Sequence, residues 1–192
     1  MLLPALRASL LTLAVTGVAY PLAITGAAQL LFPAQANGSL LADERGDPIG
    51  SRLIAQRFAG AGYFQPRPSA AGDAGWDASS SGGSNLGPSS KKLRDRGAAD
   101  LARLRAENPE APGPIPAELI SASGSGLDPE ISPEAARWQL ARVARARQVE
   151  PSRLAPLIDQ FTEARTLGFL GEPRVDVLAL NLALDRLLGK AR

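Results

Sequence analysis

The sequence predicts a single N-terminal transmembrane helix followed by one compact mixed α/β (α+β) extracytoplasmic domain. Three observations lead there. No charged side chain stands between Arg7 and Asp43. Beyond that run, helix caps and 3.6-residue periodicity recur in separate stretches. Long Gly-, Ser- and Pro-rich segments lie between them, and a chain of 192 residues has room for one modest domain plus an appendage.

The anchor is assigned to residues 8–34, where Gln29 is the main polar interruption. A spanning helix needs roughly 20 apolar residues, and this run is longer. Inside lipid each backbone polar group must bond within the segment, so the run has to be helical. Pro21 falls near its middle and is expected to kink it. Gly17 and Gly26 let another helix come close. The competing reading is a cleaved signal peptide, because Ala34-Gln35-Ala36 has a small-x-small cleavage pattern. A secretory apolar core is typically about 7–15 residues, so the length favours a retained anchor. Arg7 precedes the run, and Asp43, Glu44, Arg45 and Asp47 follow it. The positive-inside rule then puts residues 1–7 in the cytoplasm and residues 35–192 outside it. The lipid bilayer is thus the first partner that the sequence implies.

Residues 37–39 and 46–50 read as turns. Residues 51–58 are expected to form a strand, although their alternation is poor. Residues 60–88 are rich in Gly, Ser and Pro, yet contain Tyr63, Phe64 and Trp76. Flexible linkers seldom carry such side chains, so part of this segment is expected to pack as an ordered loop. Ser90 caps a helix over about 91–108, with Leu93, Gly97, Leu101 and Leu104 on one face. Residues 118–123, ELISAS, read as a short strand. Ser132 and Pro133 open a helix to about Gln148. Ala135, Trp138, Leu140 and Val143 take its inner side, and Arg137, Arg142, Arg145 and Arg147 spread around the remainder. A second helix covers 151–162, bent or delayed by Pro156. After a turn at 168–173, Asp176 caps a last helix over 177–188, with Val177, Leu180, Leu184 and Leu187 on its apolar side.

The chain has no Cys and no His. Thiol nucleophiles, zinc sites of the Cys/His type and the usual near-neutral proton carrier are excluded. No EF-hand spacing appears, and the sequence implies no metal or organic cofactor. The net charge of +2 calls for no nucleic-acid partner. A Ser-His-Asp triad cannot form. Asp128 and Glu130 can be read as a paired carboxylate site or, beside Pro129, as turn and capping groups.

Two loops of small residues remain. One is Ser123, Gly124, Ser125 and Gly126; the other is Ser81, Gly82, Gly83, Ser84 and Asn85. Glycine loops that open a helix often hold phosphate. Residues 121–133 contain no lysine and no G-x-G-x-x-G, and Asp128 and Glu130 add negative charge. Two readings stand: a turn with a helix cap, or a contact with an anion or a partner backbone. Gln139 is the polar residue on the following helix that can take a base edge, or simply be solvated.

Several stretches match one family as an ordered set. They are Gln35-Ala36-Asn37-Gly38-Ser39-Leu40; Gly50-Ser51-x-Leu53-Ile54-x-Gln56; Gly62-Tyr63-Phe64-x-x-Arg67-Pro68-Ser69-Ala70; and residues 81–86 and 122–128. Trp138-Gln139, Arg142-Val143-Ala144-x-Ala146-Arg147 and Leu180-Asn181-x-Ala183-Leu184-Asp185 complete it. In order and spacing the chain resembles the C subunit of the Kdp-type potassium-transporting ATPase, over nearly its whole length. The resemblance implies a non-catalytic, single-pass accessory subunit of an ATP-driven potassium uptake complex in the bacterial inner membrane. Its implied partners are a potassium-channel-like subunit and a P-type ATPase subunit. The family role is assembly, together with a catalytic chaperone function that raises the ATP affinity of the ATPase subunit. ATP is then the nucleotide of the complex. If this chain touches it directly, the candidates are Ser81, Gly82, Gly83, Ser84, Asn85, Ser123, Gly124, Ser125, Gly126 and Gln139.

Overall fold

A computed structural model describes residues 2–43 and 45–191. Glu44, used above to orient the anchor, lies outside the described residues, as does Met1. The chain divides into two compact units, Met1–Ser51 and Arg52–Arg192.

The first unit begins with an unbroken helical run, Leu2–Leu31, the one helix among the described residues that is long and apolar enough to cross a membrane. Its parts are α1 (Leu2–Ala14), a π-helical turn (Val15–Ala19) and α2 (Tyr20–Leu31). The run spans 30 residues, about 45 Å at 1.5 Å per residue, against a hydrocarbon core of about 30 Å. The π turn is where the sequence reading expects a kink. Pro21 has no N–H, and its ring crowds the carbonyl four residues back, at Gly17. Widening that turn relieves the conflict, and the Tyr20 N–H bonds to the Val15 carbonyl instead. Thr16 returns its hydroxyl to the Thr12 carbonyl at 2.7 Å, so its polar atom is also satisfied within the helix. The helix stops at Phe32, which leaves helical geometry because Pro33 follows it.

A short helix, α3 (Pro33–Ala36), and a two-stranded antiparallel sheet complete this unit. Gln29, the polar interruption of the run, pairs its amide with that of Asn37 at 3.3 Å. Strand β1 (Leu40–Ala42) aligns Leu40 with Ser51 and Leu41 with Gly50 on β2 (Pro48–Ser51), and a bulge follows Leu41. Asp43 closes the turn by accepting the N–H groups of Arg45 and Asp47.

The second unit is a mixed α/β body. Its helices are α4 (Lys91–Glu107), α5 (Pro133–Ala146), α6 (Pro151–Gln160) and α7 (Val177–Leu188). Its sheet has three short antiparallel strands in the order β3 (Glu130–Ile131), β5 (Arg174–Asp176), β4 (Thr162–Glu163). Arg174 on the central strand pairs with Glu130 at 2.8 Å and with Glu163 at 2.7 Å, tying the three strands together. The capping predictions hold: Ser90, Ser132 and Asp176 accept the N–H groups of Leu93, Ala135 and Ala179. Pro156 lies inside α6. The core gathers Phe64, Leu104, Leu119, Ile131, Ala135, Trp138, Val143, Leu154, Ile158, Val175, Leu180 and Leu184.

Five expectations need correction. Of residues 46–50, expected as a turn, 48–50 belong to strand β2. Of residues 51–58 only Ser51 belongs to a strand; Ala55 instead turns inward and bonds its N–H to the Leu127 carbonyl. ELISAS is no strand: Ala117–Leu119 is a 3-10 turn after Pro116. That turn buries Leu119 and brings the Glu118 carboxylate onto the N–H and hydroxyl of Ser132. Arg142, expected on the remainder of its helix away from the inner side, is buried. Leu187 is exposed, and Leu188 packs on the core in its place.

Candidate functional site

The loop over residues 60–69 is the part of the second unit that the motif residues converge on. It has little regular structure, yet Phe64 at its centre is fully buried. Buried backbone without a ladder must find other partners. Two side-chain amides supply them. The Asn181 carbonyl accepts the Phe64 N–H at 2.9 Å, and its NH2 donates to the Phe64 carbonyl at 2.9 Å. Gln139 treats Gln65 alike, at 2.8 and 3.0 Å. Each amide imitates the edge of a strand, so two helices stand in for a sheet.

Arginines complete this clamp. Arg142 donates to the carbonyls of Ala61 at 2.7 Å and Tyr63 at 3.0 Å, and to the Gln139 carbonyl at 2.8 Å. Burial pushes its guanidinium pKa below the ordinary arginine value. Arg147 donates to the Gly62 carbonyl at 2.8 Å and to Asp185 at 2.7 Å, and lies 4.8 Å from the centre of the Tyr63 ring. The Tyr63 hydroxyl donates to the second Asp185 oxygen at 3.0 Å. Burial, then the neighbouring Asp185 carboxylate, pushes the Tyr63 phenol pKa up.

These residues share helix faces with the core. On α5 the buried positions are Ala135, Ala136, Trp138, Gln139, Arg142, Val143 and Ala144; on α7 they are Val177, Leu178, Leu180, Asn181 and Leu184. Gln139, Arg142 and Asn181 therefore lie within apolar stripes. The sequence reading missed Tyr63, Arg142, Arg147, Asn181 and Asp185 as a working set. For Arg142 and Asn181 the signal is a polar residue spaced among the apolar positions of a helix; Tyr63 in its loop, Arg147 at the end of α5 and Asp185 carry no such signal.

The two small-residue loops do come together. The Gly82 N–H and the Ser81 hydroxyl both donate to the Ser125 carbonyl, at 2.8 and 3.0 Å. Ser69 fastens the pair from behind, donating to the Gly126 carbonyl at 2.6 Å and accepting the Trp76 N–H at 2.7 Å. The glycines permit this approach. A Cβ on Gly83 would lie 2.9 Å from the Gly124 carbonyl oxygen, and one on Gly126, at φ +69°, would lie 2.6 Å from the Gly82 oxygen. The Ser125 hydroxyl accepts the Leu127 N–H at 3.1 Å and lies 3.4 Å from the hydroxyl of Ser123. Ser84 and Asn85 continue the first loop, Asn85 at φ 50°. Asp128 accepts the Glu130 N–H at 3.1 Å and pairs with Arg67 at 3.0 Å, a turn-capping role. Burial holds the Glu130 carboxyl above the usual range, against the opposing pull of Arg174.

Gln139 does not join those loops. It is 2% exposed, and its hydrogen bonds go to Gln65 and Arg142. It borders a groove of about 710 Å³ whose walls include Phe58, Pro66, Trp76, Arg57, Arg96 and Arg103. Arg103 is already paired there with Asp100 and Glu107.

A family model described as "K+-transporting ATPase, c chain" matches residues 2–186. Among curated relatives, the Potassium-transporting ATPase KdpC subunit of Myxococcus xanthus is 62% identical over 187 residues, covering 97% of this chain and 88% of that one. Its counterpart in Rhodospirillum rubrum is 59% identical over 170 residues, covering 88% and 87%. The one in Methylobacterium nodulans is 55% identical over 186 residues, covering 91% of each. The motifs that meet in the clamp and the paired loops lie inside the matched span, and the chain belongs to the KdpC family, the c chain of the K+-transporting ATPase.

Proposed function

We propose that this chain is a non-catalytic accessory subunit of an ATP-driven potassium uptake complex, acting as a catalytic chaperone that raises the ATP affinity of the ATPase subunit. One observation supports this above the others: the polar motif residues face inward. Gln139, Arg142, Arg147, Asn181 and Asp185 hold the 60–69 loop rather than converge on a reaction centre. The partners are the channel-like and P-type ATPase subunits of the same complex.

The charges around the apolar helix favour a cytoplasmic N-terminus, with the second unit on the outer side of the inner membrane. ATP is cytoplasmic, so the help is indirect. A subunit that binds preferentially to the ATP-competent state of the complex raises its population without touching nucleotide. Linkage makes this testable. If the subunit improves ATP affinity tenfold, about 1.4 kcal/mol, ATP must tighten its own attachment tenfold. The experiment compares ATP binding by the purified complex with and without this chain, then chain retention with and without ATP. Unequal factors, or no change in ATP affinity, refute the mechanism.

Direct contact with ATP through residues 81–85 and 123–126 is the second reading. It is favoured by the meeting of those two loops. In that reading Gln139 has to release the Gln65 backbone before it can take a base edge. Titration of the purified chain with ATP separates the two, since the indirect mechanism predicts no binding by the chain alone.

A further inference from the structure

Between β4 and β5 the chain makes a tight hairpin, Arg165-Thr166-Leu167-Gly168-Phe169-Leu170-Gly171-Glu172. Thr166 and Leu170 exchange backbone hydrogen bonds, each 2.9 Å, and Arg165 pairs with Glu172 at 2.5 Å across the base. Its tip carries three large apolar side chains in the open: Leu167 is 79% exposed, Phe169 68% and Leu170 49%. Leu167 also sits at φ 54°, followed by Gly168 at φ 81°. Left-handed backbone strains a branched apolar residue, whereas Asn or Gly takes it readily. In the free chain Leu167 thus loses twice, through conformation and through exposed apolar surface. Neither loss helps this fold, and backbone strain of this kind collects where a surface meets something else.

We propose that this hairpin tip is a docking element, and that its occupant is an apolar pocket on another subunit of the same complex. The inference rests on the reading of the chain as a subunit of that complex. The local chemistry favours protein over lipid. The tip has no Lys, Trp or Tyr to settle at a headgroup layer, and the charges at its base pair off, Arg165 with Glu172 and Arg174 with Glu163, leaving no basic excess to attract anionic headgroups. The hairpin is held in shape before binding by its backbone bridge and its basal ion pair. Little conformational freedom is lost on docking, so a small apolar tip can anchor an interface.

The test uses the full chain in its native membrane, with the photoreactive residue p-benzoylphenylalanine placed at position 169. Irradiation is expected to yield one product, this chain joined to another subunit of the complex. Products with lipid only, with a second copy of this chain, or none at all overturn the proposal. Leu167→Asn and Phe169→Ser provide a second measurement. Leu167→Asn relieves the left-handed strain, so the free chain should unfold at the same temperature or higher, while retention of the other subunits after mild detergent extraction falls at least tenfold. Retention within twofold of the parent overturns the docking role. If the parent chain itself retains no other subunit, it is the subunit reading that fails, and the two failures are told apart by that one control.

Discussion

Replacing Asn181 by Leu should cost this protein much of its stability, although the change keeps the branched shape of the side chain and adds apolar character. The side chain is 1% exposed and satisfies both the N–H and the carbonyl of Phe64, each at 2.9 Å. Phe64 is itself fully buried, so water cannot take over. Leaving a buried donor or acceptor unpaired costs about 1–3 kcal/mol each, or about 2–6 kcal/mol for the two. Extra burial of the leucine methyls offsets about 1 kcal/mol. The net loss is about 1–5 kcal/mol, against a typical total of about 5–15 kcal/mol. Urea unfolding of the full chain in detergent, followed by tryptophan fluorescence, measures it. Exchange of the Phe64 amide hydrogen should quicken in parallel. A loss below about 1 kcal/mol with unchanged Phe64 exchange refutes the claim that side-chain amides replace a sheet ladder here.

The other predictions use neighbouring features. Gly126→Ala forces a Cβ to within 2.6 Å of the Gly82 oxygen and strains a backbone at φ +69°, so it should destabilise by about 2 kcal/mol or more; Gly82→Ala meets nothing within 4 Å and should stay within about 0.5 kcal/mol on the same urea curve. Tyr63→Phe removes the bond to Asp185 while Arg147 keeps its own, and should cost about 1–2 kcal/mol, read from the unfolding midpoint. The raised pKa of Glu130 means the folded chain holds that proton more tightly than the unfolded one. Its stabilising share is therefore complete below the ordinary glutamate range, and is lost as pH rises through the higher folded value. Melting temperatures of Glu130→Gln across pH 4–7 should show a flatter slope than the parent. A steeper one reverses the sign of the argument.

Much of the fold is legible in the sequence because it follows local rules. Ser90, Ser132 and Asp176 cap the helices that their positions announce, and Pro133 supplies the first turn of α5. The apolar helix is plain from the gap between Arg7 and Asp43. What failed was non-local. ELISAS has the composition of a strand, but Glu118 is needed at the start of α5, and a 3-10 turn delivers it there. Arg142 falls outside the inner side expected for α5, although its spacing from Trp138 and Val143 puts it inside. Three backbone and amide oxygens repay its burial, and they come from residues 61, 63 and 139. No rule of sequence spacing links residue 142 to residue 61.

The likeness to the family was carried by short polar motifs, and the clamp explains how such motifs can identify a chain without forming a reaction centre. Gly62-Tyr63-Phe64, Gln139, Arg142, Arg147, Asn181 and Asp185 lie far apart in sequence and meet around one loop. An irregular loop has no ladder, so each of its buried backbone groups must be met by a particular side chain at a particular place. Substituting one partner strands a buried group, whereas a core leucine tolerates exchange for another aliphatic. Polar identity is thus demanded more strictly here than apolar identity is in the core. On this argument those motifs record how the body of the subunit is built, and residues that face a partner belong among its exposed apolar positions, where the free fold gives no reason for them.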